Sequence, residues 1–248
     1  MNKKSRSSKQ SDLSNTPQKD FSNALGVFTQ EQKRLFTKLN TPARVQDFLN
    51  TIPFNFELDG KATLKSPLEV LRSNSAHCFE GALLGAYILS LHGHKPLIVT
   101  LKATKKDFDH VIVPFQVNEV VKNSGVRGVG GAKGVRKFWG ALSKTNHAVL
   151  RYREPVYRNL RELVMSYFHE YFLDNGVKTL RKYSELLDLN EFESGWMISD
   201  GDLWGIDEEL DRVRYYKILS DAQIKSLRKA DLIEREAGKI VEWNKKSE

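Results

Sequence analysis

From Ala76 to His92 the chain reads AHCFEGALLGAYILSLH, a run without proline that ends at Gly93. Measured from Cys78, small and apolar residues recur at Ala82, Gly85, Ala86 and Leu89, offsets that share one helix face. The pattern predicts a helix buried on a closely approaching sheet, with Cys78 in its first turn. Ser73, Asn74 and Ser75 are capping types upstream, and Gly93 is a natural terminator. LIVTL (97–101) then reads as a buried strand, ATKKDFD as a polar turn, and HVIVPFQV from His110 as a second strand antiparallel to the first, with Pro114 predicting an edge or a bulge. KFWGALS (137–143) is a third strand.

The flanks are read in the same way. Residues 1–26 are rich in Ser, Asn, Gln and Lys and predict a disordered basic tail. QEQKRLFTKL after Thr29 is an amphipathic helix, and Thr41-Pro42 caps and opens a second one that turns Val45, Phe48 and Leu49 inward. Residues 51–72 read as an irregular crossing with a short helix SPLEVLRS, where Asn55 is a turn or pairing residue. Val149 and Leu150 complete a strand, Pro155 begins a turn, and Val156, Leu160, Leu163, Val164, Tyr167, Phe168 and Tyr171 form an apolar stripe of helical period. Arg151 and Arg153 share a strand face and either bind a carboxylate or join a surface network. The last seventy residues contain Trp196 and Trp204, read as pins for an irregular segment, and a helix SDAQIKSLRKADLIERE with a capping box at Ser220 and Gln223.

Composition narrows the class. The chain has 248 residues, 40% of them hydrophobic, and a formal net charge of +8. No apolar run approaches a membrane span, no signal-type segment follows Met1, and a single cysteine fits a reducing compartment, so a cytoplasmic protein is expected. Charge is concentrated in residues 95–137, which hold nine basic and three acidic residues. That face is expected to attract an anionic or at least not a cationic partner. The glycine-rich stretch 122–137 lacks the helix that a phosphate loop opens, so it is read as a long hairpin loop and candidate lid. Basicity leaves nucleic-acid binding open as a competing function, although no zinc-ligand set, helix-turn-helix or RNP-type run accompanies it. His77, His92, His94, His147 and His169 lack metal-ligand spacing; no metal site and no cofactor are expected.

The candidate chemistry lies at Cys78 and His110. A cysteine in a first helical turn meets free backbone N–H groups and the positive end of the helix dipole, which favour the thiolate; the alternative, a small buried hydrophobe, stays open. His77-Cys78-Phe79-Glu80-Gly81-Ala82-Leu83-Leu84, then Gly93-His94-Lys95-Pro96, then Asp109-His110-Val111-Ile112 resembles the transglutaminase-like superfamily, which shares the papain-like cysteine protease fold. The resemblance covers about residues 40–155. It implies Cys78 as nucleophile and His110 as base, and it places Trp139-Gly140-Ala141-Leu142-Ser143-Lys144-Thr145 where the family carries its acid, so that Ser143 occupies the acid position. Asn146 is a second candidate to orient the imidazole, and Gln46 a candidate oxyanion donor.

These readings predict an α+β fold of transglutaminase-like type: a tail (1–26), a catalytic core (27–155) with a Cys-bearing helix on an antiparallel sheet, and a mostly helical C-terminal extension (156–248). The expected function is cysteine-dependent acyl transfer from a peptide or protein amide, to water or to an amine, with no membrane partner. The alternatives are a binding module of the same fold without catalysis and a nucleic-acid-binding protein. Oligomeric state is not legible.

Overall fold

The computed structural model describes residues 21–122 and 133–243. Three short helices lead in: α1 (Gln30–Lys38), α2 (Pro42–Thr51) and α3 (Pro67–Ser73). Their starts follow the chemistry of the sequence. Thr29 makes a reciprocal capping box with Gln32, Thr41 accepts from the N–H of Arg44 with Pro42 in the first turn, and Ser66 accepts from Glu69. Residues 21–26, expected in the tail, form a 3-10 turn that buries Ala24 ahead of Phe28, whose ring stacks on Tyr87 at 5.5 Å. The tail expectation for residues 1–20 lies outside the described residues.

Helix α4 (Cys78–Ser90) is apolar on every side beyond its first turn, where Glu80 lies, and all of it from Phe79 onward is buried. A helix of that kind must be enclosed rather than laid on a surface. Strands β1 (Leu97–Lys102), β2 (His110–Lys122), β3 (Lys133–Leu142) and β4 (Arg153–Tyr157) supply one wall. Helix α5 (Leu160–Met165) covers the far face, and strands β5 (Lys182–Ser184), β6 (Leu187–Asp188) and β7 (Tyr215–Lys217) extend the sheet. The strand order is β4-β3-β2-β1-β5-β7, with β6 also on β1, and every pairing is antiparallel. The fold is therefore α+β with a seven-stranded antiparallel sheet.

Alternation along β1 and β2 splits the core in two. Ile98, Val111 and Val113 pack toward α4, while Val99, Leu101 and Ile112 pack against Leu163, Val164, Tyr167 and Phe168 of the α5 side. Pro114 sits in an interior strand, yet pairing with β1 stops at Val99↔Ile112, so Pro114 faces only β3 and its missing N–H costs no ladder bond to β1.

The C-terminal part differs from its expectation. Alongside its helices it contributes the short strands β5, β6 and β7, so it also completes the sheet. Strands of two or three residues leave no periodic signal. Residues 148–150 are a 3-10 turn, not a strand, and Pro155 lies within β4, an edge strand that tolerates it. Val156 is exposed in that strand, and the apolar stripe from Leu160 is divided between α5 and a 3-10 turn at Phe168–Glu170. The terminal helix is two: α7 (Asp221–Lys225), with the Ser220/Gln223 capping box, and α8 (Leu232–Gly238). Helix α6 (Trp204–Arg212) precedes them. Trp196 is buried edge-on against Tyr87, as a pin for the irregular segment, whereas Trp204 is largely exposed. Arg151 pairs with Glu242 and Arg153 with Glu170, so both arginines are used in internal ion pairs. No helix among the described residues is long and apolar enough to cross a membrane.

Close approach at α4 is tightest at Gly81, where an added Cβ would stand 2.2 Å from Cβ of Lys144. At Gly205, in α6, nothing lies within 4 Å. Gly81→Ala is expected to lower stability in urea unfolding by about 1–3 kcal/mol through overpacking. Gly205→Ala is expected to be neutral or to stabilise by up to about 1 kcal/mol. Equal effects at the two sites would contradict this packing.

Candidate functional site

Chain direction brings the site together. Helix α4 runs one way, β1 returns, and β2 runs forward again, so the first residues of α4 and β2 lie at the same end. Strand β3 is antiparallel to β2 and pairs Leu142 with Val113, so the residue after its end, Ser143, arrives beside the start of β2. Cys78, His110 and Ser143 are thus collected from three elements by topology alone.

Their contacts form a line. The Cys78 thiol lies between His110 and His77, each close enough to perturb it. Nε2 of His110 lies 2.7 Å from Oγ of Ser143, so Nδ1 is the ring nitrogen not used by Ser143. Ser143 is held in turn by Gln46: its N–H donates to Oε1 at 2.9 Å, and Nε2 of Gln46 donates to its carbonyl at 3.0 Å. Nε2 of Gln46 also donates to Asn50 at 2.8 Å. Gln46 is therefore a buried clamp on Ser143 and not a donor facing the cleft. Asn146 is turned away as well, its Nδ2 donating to the carbonyl of Trp243 at 3.0 Å. Of the two candidates to orient the imidazole, Ser143 touches His110 and Asn146 does not.

His110 is buried, and the turn before it is fastened by the C-terminal part. The N–H of Thr104 donates to the carbonyl of Thr179 at 3.0 Å, Tyr171 donates its hydroxyl to the carbonyl of Phe108, and Thr179 donates to Asp107. Asp109 accepts from the N–H of Ala103 at 2.9 Å and pairs with Lys102 at 3.3 Å.

At the helix start, the N-cap is His77 itself; the three capping types upstream serve elsewhere, with Asn74 ending α3 in the left-handed region. The N–H of His77 donates to Glu80 at 3.0 Å, and the N–H of Phe79 donates to Nδ1 of His77 at 3.2 Å. Glu80 is fully buried and also accepts from Thr63 Oγ1 at 2.7 Å, Lys65 N at 3.1 Å and Asn55 Nδ2 at 3.3 Å. The irregular segment 51–66 is thus a collar around the first turn of α4, and Asn55 is one of its pairing residues.

Electrostatics follow from this arrangement. Burial pushes the Cys78 thiol up, but hydrogen bonds from His110 and His77 and their charges pull it down further, to about 5. Burial lowers His77, and its bond to Cys78 with the charge of Glu80 raises it to about 9. Lys144, next to Ser143, packs on Gly81 and donates to the carbonyl of Ile52; burial depresses it to about 8. Such a thiol is largely thiolate at neutral pH, the form that acts as nucleophile.

The sulfur opens on a cleft of about 210 Å³ whose walls include His77, Thr100, Lys102, Asp109, Asp207 and Asp211. Three aspartates face one lysine there, so the cleft itself is not the cationic surface that the charge of residues 95–137 suggested. The tip of the basic hairpin, and with it the lid reading, lies outside the described residues. His77 is the main participant that the sequence analysis missed. Histidine is an unusual N-cap, and its adjacency to Cys78 was the available signal.

Matched against models of known protein families the chain fits none, and no curated protein matches it.

Gln46→Leu strands a buried N–H and a carbonyl of Ser143. The variant is expected to lose about 1–3 kcal/mol in urea unfolding and to alkylate Cys78 more slowly at pH 6. Parental stability and rate together would contradict the clamp.

Proposed function

We propose that this protein is a cysteine-dependent acyl-transfer enzyme of transglutaminase-like type acting on an amide. The observation that carries the reading is a cysteine at a helix start on a cleft, beside a histidine whose Nε2 is held by Ser143. The Cys78 thiolate attacks the carbonyl carbon, and the oxyanion forms beside the first backbone N–H groups of α4, where a helix leaves donors without intrahelical partners. His110, as imidazolium, gives its proton to the leaving amine as the C–N bond breaks. Water or a second amine then attacks the thioester, His110 takes the proton from that nucleophile, and the thiolate departs unchanged.

Ser143 orients His110 but supplies no charge, so the imidazolium is not offset by a third-residue carboxylate. That feature favours one second reading, a binding module of the same architecture without catalysis. The acidic lining of the cleft favours neutral or cationic acyl donors and acceptors over anionic ones.

Intact-mass measurement after mixing with an activated thioester or a glutamine peptide tests the scheme. One acyl adduct on Cys78 is expected, decaying with water or amine. His110→Ala is expected to slow its formation by about a hundredfold or more. Ser143→Ala, which removes one orienting hydrogen bond, is expected to slow it by about tenfold. Formation at the parental rate in His110→Ala would remove the base assignment, and the absence of any adduct would favour the binding module.

A further inference from the structure

We infer that His77 is a second imidazole of the site: it holds the Cys78 thiolate from the helix side while His110 does so from the sheet side, and Glu57 and Glu80 keep it cationic. The inference rests on Cys78 being the nucleophile and goes beyond the cysteine–histidine pair of the proposed function.

The ring is fixed at both nitrogens. Nε2 donates to the carbonyl of Thr63 at 2.8 Å, so it carries a hydrogen in either protonation state. The same atom lies 3.6 Å from Glu80 and 3.8 Å from Glu57. Glu80 is fully buried, and a buried carboxylate requires compensating charge. Lys65 supplies part of it at 3.7 Å, and a cationic His77 supplies the rest. Glu57 is brought in at a conformational cost: its φ is 54°, in the left-handed region that a non-glycine residue seldom adopts, while Oε1 accepts from the N–H of Thr63 at 2.7 Å.

Nδ1 has two mutually exclusive uses. Unprotonated, it accepts from the N–H of Phe79 at 3.2 Å. Protonated, it donates to the Cys78 sulfur, and the Phe79 N–H is released at the start of α4, where the oxyanion of an attacked carbonyl would need it. One proton on His77 therefore both pairs the thiolate and frees a donor. The charged and titratable groups around the ring are Cys78 and Glu80 on α4, Glu57 and Lys65 on the collar, His110 across the sulfur, and Asp207 on α6. The carboxylates among them favour the imidazolium, and Lys65 opposes it.

The test is the rate of iodoacetamide alkylation of the full chain between pH 4 and 10, in which Cys78 is the sole thiol. The parental acid limb is expected near 5. His77→Asn keeps a good N-cap but removes the imidazole; its limb is expected to rise by about one pH unit or more, a loss of rate of roughly fivefold or more at pH 5 and about tenfold at pH 4. Glu57→Gln, which retains the acceptor for Thr63, is expected to shift it the same way by less. A His77→Asn limb that overlays the parent while His110→Asn shifts would overturn the inference and leave the nucleophile reading intact. A parental limb near the ordinary thiol value of about 8.5 would sink both. Should His77→Asn not fold, NMR titration of the parental His77 ring decides: its proton is expected to leave near 9, and at lower pH once Cys78 is alkylated. The same titration before and after alkylation would count against the inference.

Discussion

Helix α4 has no polar face to give to water, and the rest of the chain is arranged to hide it. The sheet takes one side, with Val111, Val113 and Leu142 in the same core. Helices α2 and α3 and the Trp196 segment take the others, through Leu49, Val70 and Trp196. Its first turn, bearing Cys78, lines a cleft. Burial of one apolar helix thus both drives folding and leaves a single reactive end, since each fully buried aliphatic side chain contributes about 1.5–3 kcal/mol. The direction of the following strands then delivers His110 and Ser143 to that end without further design.

Around the sulfur, the polar groups form a continuous chain from Asn50 through Gln46, Ser143 and His110 to Cys78, and on through His77 to Glu80 and its collar. Each member fixes the next. A buried network of this kind is rigid when every group is satisfied, and costly when one is removed. The elements that anchor it are distant in sequence: Gln46 precedes Ser143 by 97 residues, and the turn before His110 is tied to Tyr171 and Thr179. The C-terminal part therefore belongs to the site as well as to the sheet.

Much of this was legible in the residues. Thr29, Thr41 and Ser220 announced their helices because a capping oxygen is a local requirement. The Cys78 helix, the LIVTL strand and the His110 strand could be read because each is a long apolar run bounded by capping or turn residues. The juxtaposition of Cys78 and His110 followed from the order of those elements. What escaped reading depended on distant partners. Gln46 looks like any helix glutamine until Ser143 is placed against it. Ser143 and Asn146 are equivalent candidates until the register Val113↔Leu142 sets which one meets His110. Strands β5, β6 and β7 are too short for a pattern, and Val149 and Leu150 are strand formers diverted into a 3-10 turn. His77 was overlooked because its ring acts as a cap, a task that histidine seldom performs.

The account turns on the ionisation of one sulfur. Thiolate absorbance near 240 nm, followed against pH in the full chain and corrected with Cys78→Ala, reads it without any substrate. A single step near pH 5, complete by neutrality, is expected. A step near the ordinary thiol value of about 8.5 would contradict it.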